Sequence, residues 1–189
     1  MPSNTRQREG IMVASQGFVY YQQHDQAASF RVEGRCTMTQ ALPFRRQAES
    51  CLAQGCRLIR VDLRDCSHLD STFLGTLLSL KKQLERHSGR FFLVSPSMAC
   101  TRILEQMGLL DLLPTESTLA VEDGNWTLLG SDSNDLLSFK RNVVEAHEEL
   151  AALPGPTGQQ FQEVLRCIQQ VDPTVPSPAP SVPPINPSK

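Results

Sequence analysis

The chain lacks most of what would tie it to a membrane, a nucleic acid or a metal. No apolar run in its 189 residues is long enough to span a bilayer. Met1–Gly10 is polar, without the apolar stretch of a secretory signal, and is expected to be disordered. The net charge is −2 and no basic run occurs, so direct nucleic-acid binding is not expected. Six cysteines are present (Cys36, Cys51, Cys56, Cys66, Cys100 and Cys167). Cys51 and Cys56 are too far apart for a tight zinc knuckle, and Cys66 with His68 has no matching second pair. The expectation is therefore reduced thiols in a cytoplasmic protein, with no metal site and no cofactor. Gly75 stands alone and Gly155 and Gly158 lie in a Pro-containing linker, so no glycine-rich phosphate loop occurs. His24, His68, His87 and His147 are scattered, with no Ser or Cys at a triad spacing, and Glu148-Glu149 reads as a solvated helix face. No enzyme is expected, and no internal repeat is found.

What is there centres on Leu58–Pro114. Leu58–Leu63 has the apolar, β-branched character of a buried strand. After a short linker, Asp70-Ser71-Thr72 opens a helix in which Phe73, Leu74, Leu77, Leu78, Leu80 and Leu84 recur at helical spacing up to about His87. Ser71 therefore sits where a strand's carboxyl end passes to a helix amino end, an edge at which α/β sheets build sites. Arg90–Ser95 is another strand. Pro96-Ser97 begins a helix with Cys100, Ile103, Leu104 and Met107 on one face, ended by Gly108. Upstream, Phe18–Tyr21 and Ala27–Val32 read as a hairpin across polar Gln22–Gln26, and Pro43–Gln54 reads as a helix closed by Gly55. Leu109–Leu113 and Leu119–Val121 compete for a last short strand. The sum is an α/β fold, a mixed sheet of four to five strands with helices packed on it.

These motifs resemble the STAS domain of anti-sigma-factor antagonists. In that family a strand ends in an Asp-containing apolar run, and Asp-Ser-Ser-Gly-Leu-Gly then opens a helix. Here the matching residues are Val61-Asp62-Leu63 and Asp70-Ser71-Thr72-Phe73-Leu74-Gly75. The likeness continues through Phe91–Pro96 and Ile103–Leu109, reaching back to Phe18 and on to about Pro114. It departs at Phe73, where the family usually has Gly.

Residues 11–153 are accordingly read as a STAS-like domain with additions after 121, residues 154–171 as a linker and short helix, and residues 172–189 as a disordered Pro- and Ser-rich tail. Trp126–Leu129 reads as an extra edge strand. Asp135–Leu153 is a helix whose stripe of Leu136, Phe139, Val143, Val144, Leu150 and Ala151, with His147 at its edge, must be buried; the domain's own sheet is the expected place. Thr157–Val171, with Phe161, Val164, Leu165 and Ile168 on one face, should dock on protein, within the chain or across a homodimer.

Two readings of the motif stay open on the residues alone. Ser71 is a favoured helix N-cap, worth about 1 kcal/mol without any function. Asp70 favours the helix amino terminus by about 0.3–1 kcal/mol. Phe73 is either core or an exposed apolar anchor, and the reading leans to exposure. Asp62 is read as structural. The resemblance implies more: Ser71, ahead of Thr72, as the phosphoacceptor of an anti-sigma factor that is itself a serine protein kinase, a serine phosphatase to reverse the mark, and a partner surface of Asp70, Ser71, Thr72, Phe73 and Leu74. The implied function is a partner-switching regulatory module controlling transcription. The alternative is a non-catalytic accessory subunit of an ABC-type lipid transport system, using the same helix to hold the ATPase.

Overall fold

The computed structural model describes residues 16–117, 124–130 and 135–171. In chain order these form β1 (Phe18–His24), β2 (Ala27–Cys36), α1 (Met38–Ala53), β3 (Leu58–Asp62), β4 (Cys66–Leu69), α2 (Ser71–Arg86), β5 (Arg90–Val94), α3 (Met98–Gln106), β6 (Thr115–Glu116), β7 (Thr127–Leu128), α4 (Leu136–Ala151) and α5 (Pro156–Val171). The expectations for Met1–Gly10, Leu119–Val121 and the tail Asp172–Lys189 lie outside the described residues.

The sheet runs β6-β5-β3-β2-β1-β7, with β4 paired to β2 off that path. β1 and β2 form an antiparallel hairpin in which Tyr21 faces Phe30, and β2, β3, β5 and β6 run parallel. Parallel neighbours require crossover helices, which α1, α2 and α3 supply. The hairpin strands are longer than their apolar cores suggested, because cross-strand pairs continue to His24↔Ala27 across the polar stretch.

The length of β2 explains an element that the sequence reading took for linker. Ala27–Arg31 of β2 pairs with β3, and Gly34–Cys36 pairs with β4, with a register shift between Gly34 and Arg35. Gly34 has φ +68°, a left-handed conformation that glycine adopts without a side-chain clash. β4 delivers the chain to Asp70. The last parallel strand is also a correction: neither Leu109–Leu113 nor any residue before Pro114 supplies it. Thr115 and Glu116 pair with Leu93 and Val94 instead, while Leu109 and Leu113 are buried in the core.

α1 begins five residues earlier than its apolar face suggested. Thr37 is the N-cap, its N–H donating to Gln40 Oε1 at 3.0 Å, and Pro43 is absorbed inside the helix. α2 is the central helix: every residue from Thr72 to Leu80 is buried. One helix face cannot bury nine consecutive residues, so α2 is covered on opposite sides. β5 and α1 pack against it from one direction and α4 from another.

That placement corrects the expectation for α4, which packs on α2 rather than directly on the sheet. Its buried stripe also begins later than expected, since Leu136 at the start of α4 is exposed. Gly75 makes the helix crossing close; a Cβ there would lie 2.0 Å from the carbonyl oxygen of Ala146. Charged pairs fasten the rims, with Lys82 Nζ 2.6 Å from Glu149 and Arg45 2.5 Å from Glu145. α5 folds back on α4 after Gly155 (φ +81°) and seats Phe161 and Leu165 against it.

Candidate functional site

The site lies at the carboxyl end of the sheet, where β2 turns into α1 and β4 turns into α2. Asp70, not Ser71, is the N-cap of α2: its Oδ1 accepts the Phe73 N–H at 2.9 Å. Its Oδ2 accepts the Met38 N–H at 2.7 Å, at the first residue of α1. One carboxylate thus satisfies unpaired N–H groups at two helix amino ends, and both helix dipoles favour its charge. Asp70→Ala is expected to lower stability by about 1–2 kcal/mol, because both amino ends lose their acceptor; urea unfolding measures it, and an unchanged midpoint would contradict the double cap.

Ser71 occupies the first turn of α2 and is half-buried. Its hydroxyl lies 3.0 Å from Nε2 of His147 on α4. The other ring nitrogen, Nδ1, lies 2.7 Å from the carbonyl oxygen of Val143. A carbonyl only accepts, so Nδ1 carries hydrogen, and in the neutral ring the Nε2 lone pair accepts the Ser71 O–H. His147 is 6 % exposed, with the Phe161 ring of α5 stacked obliquely at 5.6 Å. The hydroxyl that the sequence placed at a helix start is therefore held by a residue 76 positions away.

The remaining motif residues point inward. Thr72 and Leu74 are buried. Phe73 is not an exposed anchor: it is fully buried and stacks on Phe44 at 5.2 Å, which in turn meets Phe30 edge-on at 4.9 Å. An aromatic ring fits here because α1 crosses α2 with Phe44 facing it. Asp62 caps a local turn, accepting the Arg64 N–H at 3.0 Å, with the Arg64 guanidinium 3.6 Å away. His68 lies within β4, its proton affinity lowered by burial and then by Arg35.

Five of the cysteines are buried and Cys167 is exposed. Burial pushes the Cys36 thiol up to about 12. Cys66 is held above the ordinary thiol range by its hydrogen bond to Cys100 and by burial. Cys36 and Cys66 are therefore protonated core thiols, whereas the hydrogen bond with Cys66 draws the buried Cys100 thiol down to about 7. Among the described residues no group of three or more His, Cys, Asp or Glu side chains is placed to hold a metal, and no helix is long and apolar enough to cross a membrane.

The parallel sheet with its hairpin edge, the crossover helices and the Asp-Ser cap agree with a family-level match: the STAS domain matches residues 19–121, more than half of the chain. The chain belongs to the STAS domain family. No protein of curated description matches it. Among solved structures, it is similar to the anti-sigma factor antagonist SpoIIAA in its unphosphorylated form, at 21 % identity and TM-score 0.48, covering 53 % of this chain and 88 % of that one. It is also similar to an anti-sigma factor antagonist from Mycobacterium paratuberculosis, at 23 % identity and TM-score 0.48, covering 55 % and 88 %. The Bacillus cell fate determinant SpoIIAA in its phosphorylated form aligns at 21 % identity and TM-score 0.45, covering 53 % and 91 %.

The STAS match ends at 121, so α4 and α5 lie beyond it, and they carry the residues that sequence reasoning did not bring to the site. His147 is the principal one. The available signal was a polar ring among apolar residues of a helix stripe, which needs a partner if buried.

Proposed function

We propose that this STAS protein is a regulatory binding module of the anti-sigma-factor-antagonist type, switched by phosphorylation of Ser71. Its partner on this reading is an anti-sigma factor with serine kinase activity, and a serine phosphatase restores the free hydroxyl. The observation that carries the reading is the position of Ser71, only partly buried, at the amino end of α2, next to the Asp70 cap and at the carboxyl edge of the sheet. Thr72 is 2 % exposed and less accessible to a kinase. With Phe73 in the core, the apolar part of the docking surface falls to Met38 and Met98, 42 % and 74 % exposed at the starts of α1 and α3.

Phosphorylation adds a charge of about −1.5 to −2 and three acceptor oxygens. The amino end of α2 favours an added anion, whereas adjacent Asp70 opposes it. A docked partner would have to desolvate that dianion, so the mark acts on binding without refolding the domain. The test is incubation with candidate anti-sigma kinases and MgATP, followed by mass-spectrometric mapping. Phosphate on Ser71, lost in Ser71→Ala, is the expected result; normal labelling of Ser71→Ala would overturn the assignment.

A further inference from the structure

α4 does more than fill a groove on α2. The hydroxyl proposed above to receive phosphate is hydrogen-bonded to a side chain of the additional hairpin, and that side chain is a histidine more than nine-tenths buried. The imidazole can gain a charge near neutral pH, unlike the apolar residues around it. Its Nδ1–H is already committed to the Val143 carbonyl, so an added proton goes to Nε2, the atom that faces Ser71.

We propose that His147 is a built-in receptor for a phosphate on Ser71. Phosphorylation would convert a neutral hydroxyl–imidazole hydrogen bond into a phosphate–imidazolium ion pair, clamping the α4–α5 hairpin onto α2. The unmodified protein holds the hairpin at this point by a neutral hydrogen bond. The modified protein holds it by a charge-assisted bond, roughly twice as strong. The inference rests on the reading of Ser71 as phosphoacceptor and adds a consequence inside the chain: the mark sets how easily the hairpin lifts from the helix whose outer face it covers.

The surroundings favour the imidazolium once the dianion is present. From α2, Asp70 is the nearest carboxylate in the chain, one residue from Ser71, and it is held by the Phe73 and Met38 N–H groups. Lys82, also on α2, is neutralised by Glu149 of α4. From α1, Arg45 is paired with Glu49 and with Glu145 of α4. On α4 itself, Glu148 follows His147 directly, and burial together with Glu145 and Glu149 raises its proton affinity. α5 presents the Phe161 ring. The cations Arg45 and Lys82 already have carboxylate partners.

The sign of the pH dependence follows. A dianion on Ser71, 3.0 Å from Nε2 through its hydroxyl oxygen, raises the proton affinity of His147 relative to the unmodified protein. The extra hold is then present while His147 is protonated, and is lost as pH rises through the raised value. Phosphoserine is a dianion only above about pH 6. The clamp is therefore strongest between about pH 6 and the raised histidine value.

The experiment needs no kinase. Phosphoserine is encoded at position 71 of the full chain, and His147 is titrated by NMR in the phosphorylated and unmodified proteins, with amide hydrogen exchange of α4 followed in parallel. The expected result is a His147 midpoint raised by at least one pH unit and α4 exchange slowed about tenfold or more near pH 6.5, with the protection fading at higher pH. His147→Gln, which keeps a hydrogen bond to position 71 but cannot take a proton, should abolish the difference between the two proteins. An unmoved His147 midpoint, or faster α4 exchange in the phosphoprotein, overturns the proposal. Should His147→Gln not fold, the pH dependence of protection in the wild-type phosphoprotein decides alone. Failure of a kinase to mark Ser71 would instead overturn the functional reading and leave these measurements unchanged.

Discussion

Phe73→Ala is expected to lower the stability of the protein by about 3–5 kcal/mol, the range for removing a buried aromatic ring. Phe73 is fully buried between α1 and α2, and its ring lies 5.2 Å from that of Phe44 at 11° between planes. Burial of such a side chain contributes about 1.5–3 kcal/mol, and aromatic pairing adds about 0.5–1.5 kcal/mol. The hole would adjoin Phe44, whose other edge meets Phe30 of β2, so the loss would be felt across α1 and into the sheet. In a domain of this size that corresponds to roughly 10 °C in melting temperature. Urea unfolding should show a lower midpoint with an unchanged slope. A near-unchanged midpoint would mean that the ring is not part of the core.

The signal for this burial was present in the sequence. Phe73, Leu77, Leu80 and Leu84 recur at i, i+4, i+7 and i+11, one face of a helix, and all four are fully buried. That periodicity is evidence about this chain, whereas the glycine usual at the position in relatives is evidence about other chains. The strands β1, β2, β3 and β5 and the crossover helices were legible for the same reason, since each carries enough apolar residues to show a period. β4 and β6 were not. Cys66–Leu69 buries only its two end residues, and Thr115–Glu116 has two residues in all, so their neighbours β2 and β5 define them rather than their composition. The cap was misassigned between adjacent residues that are both good caps; the choice fell to Asp70 because its carboxylate also reaches Met38 of α1, a contact made across 32 positions. The site was legible up to Ser71. What faces Ser71 was not, because no local pattern relates residue 71 to residue 147.

Gly75 decides how closely these two helices approach, and its substitution is expected to have the second large effect. An alanine Cβ at this position would lie 2.0 Å from the carbonyl oxygen of Ala146 and 2.8 Å from its Cα. Both are backbone atoms, so no rotamer change relieves the overlap and α4 must move away from α2. The helix-propensity gain of alanine over glycine, about 1 kcal/mol, opposes this. The overlap should win: Gly75→Ala should destabilise by about 1–3 kcal/mol, and Gly75→Val by about 3 kcal/mol or more as overpacking grows and β-branching replaces the alanine gain. The consequence for the site is specific. Separation of the helices lengthens the 3.0 Å contact between Ser71 and His147, so amide exchange in α4 and α5 should quicken in Gly75→Ala while the strands of the sheet keep their protection. Trimming the facing residue cannot repair the defect, because the clash is with main chain; Gly75→Ala combined with Ala146→Gly should be no more stable than Gly75→Ala alone. A stabilised Gly75→Ala would show that propensity outweighs contact, and recovery in the double variant would place the clash on the Ala146 side chain rather than on the backbone of α4.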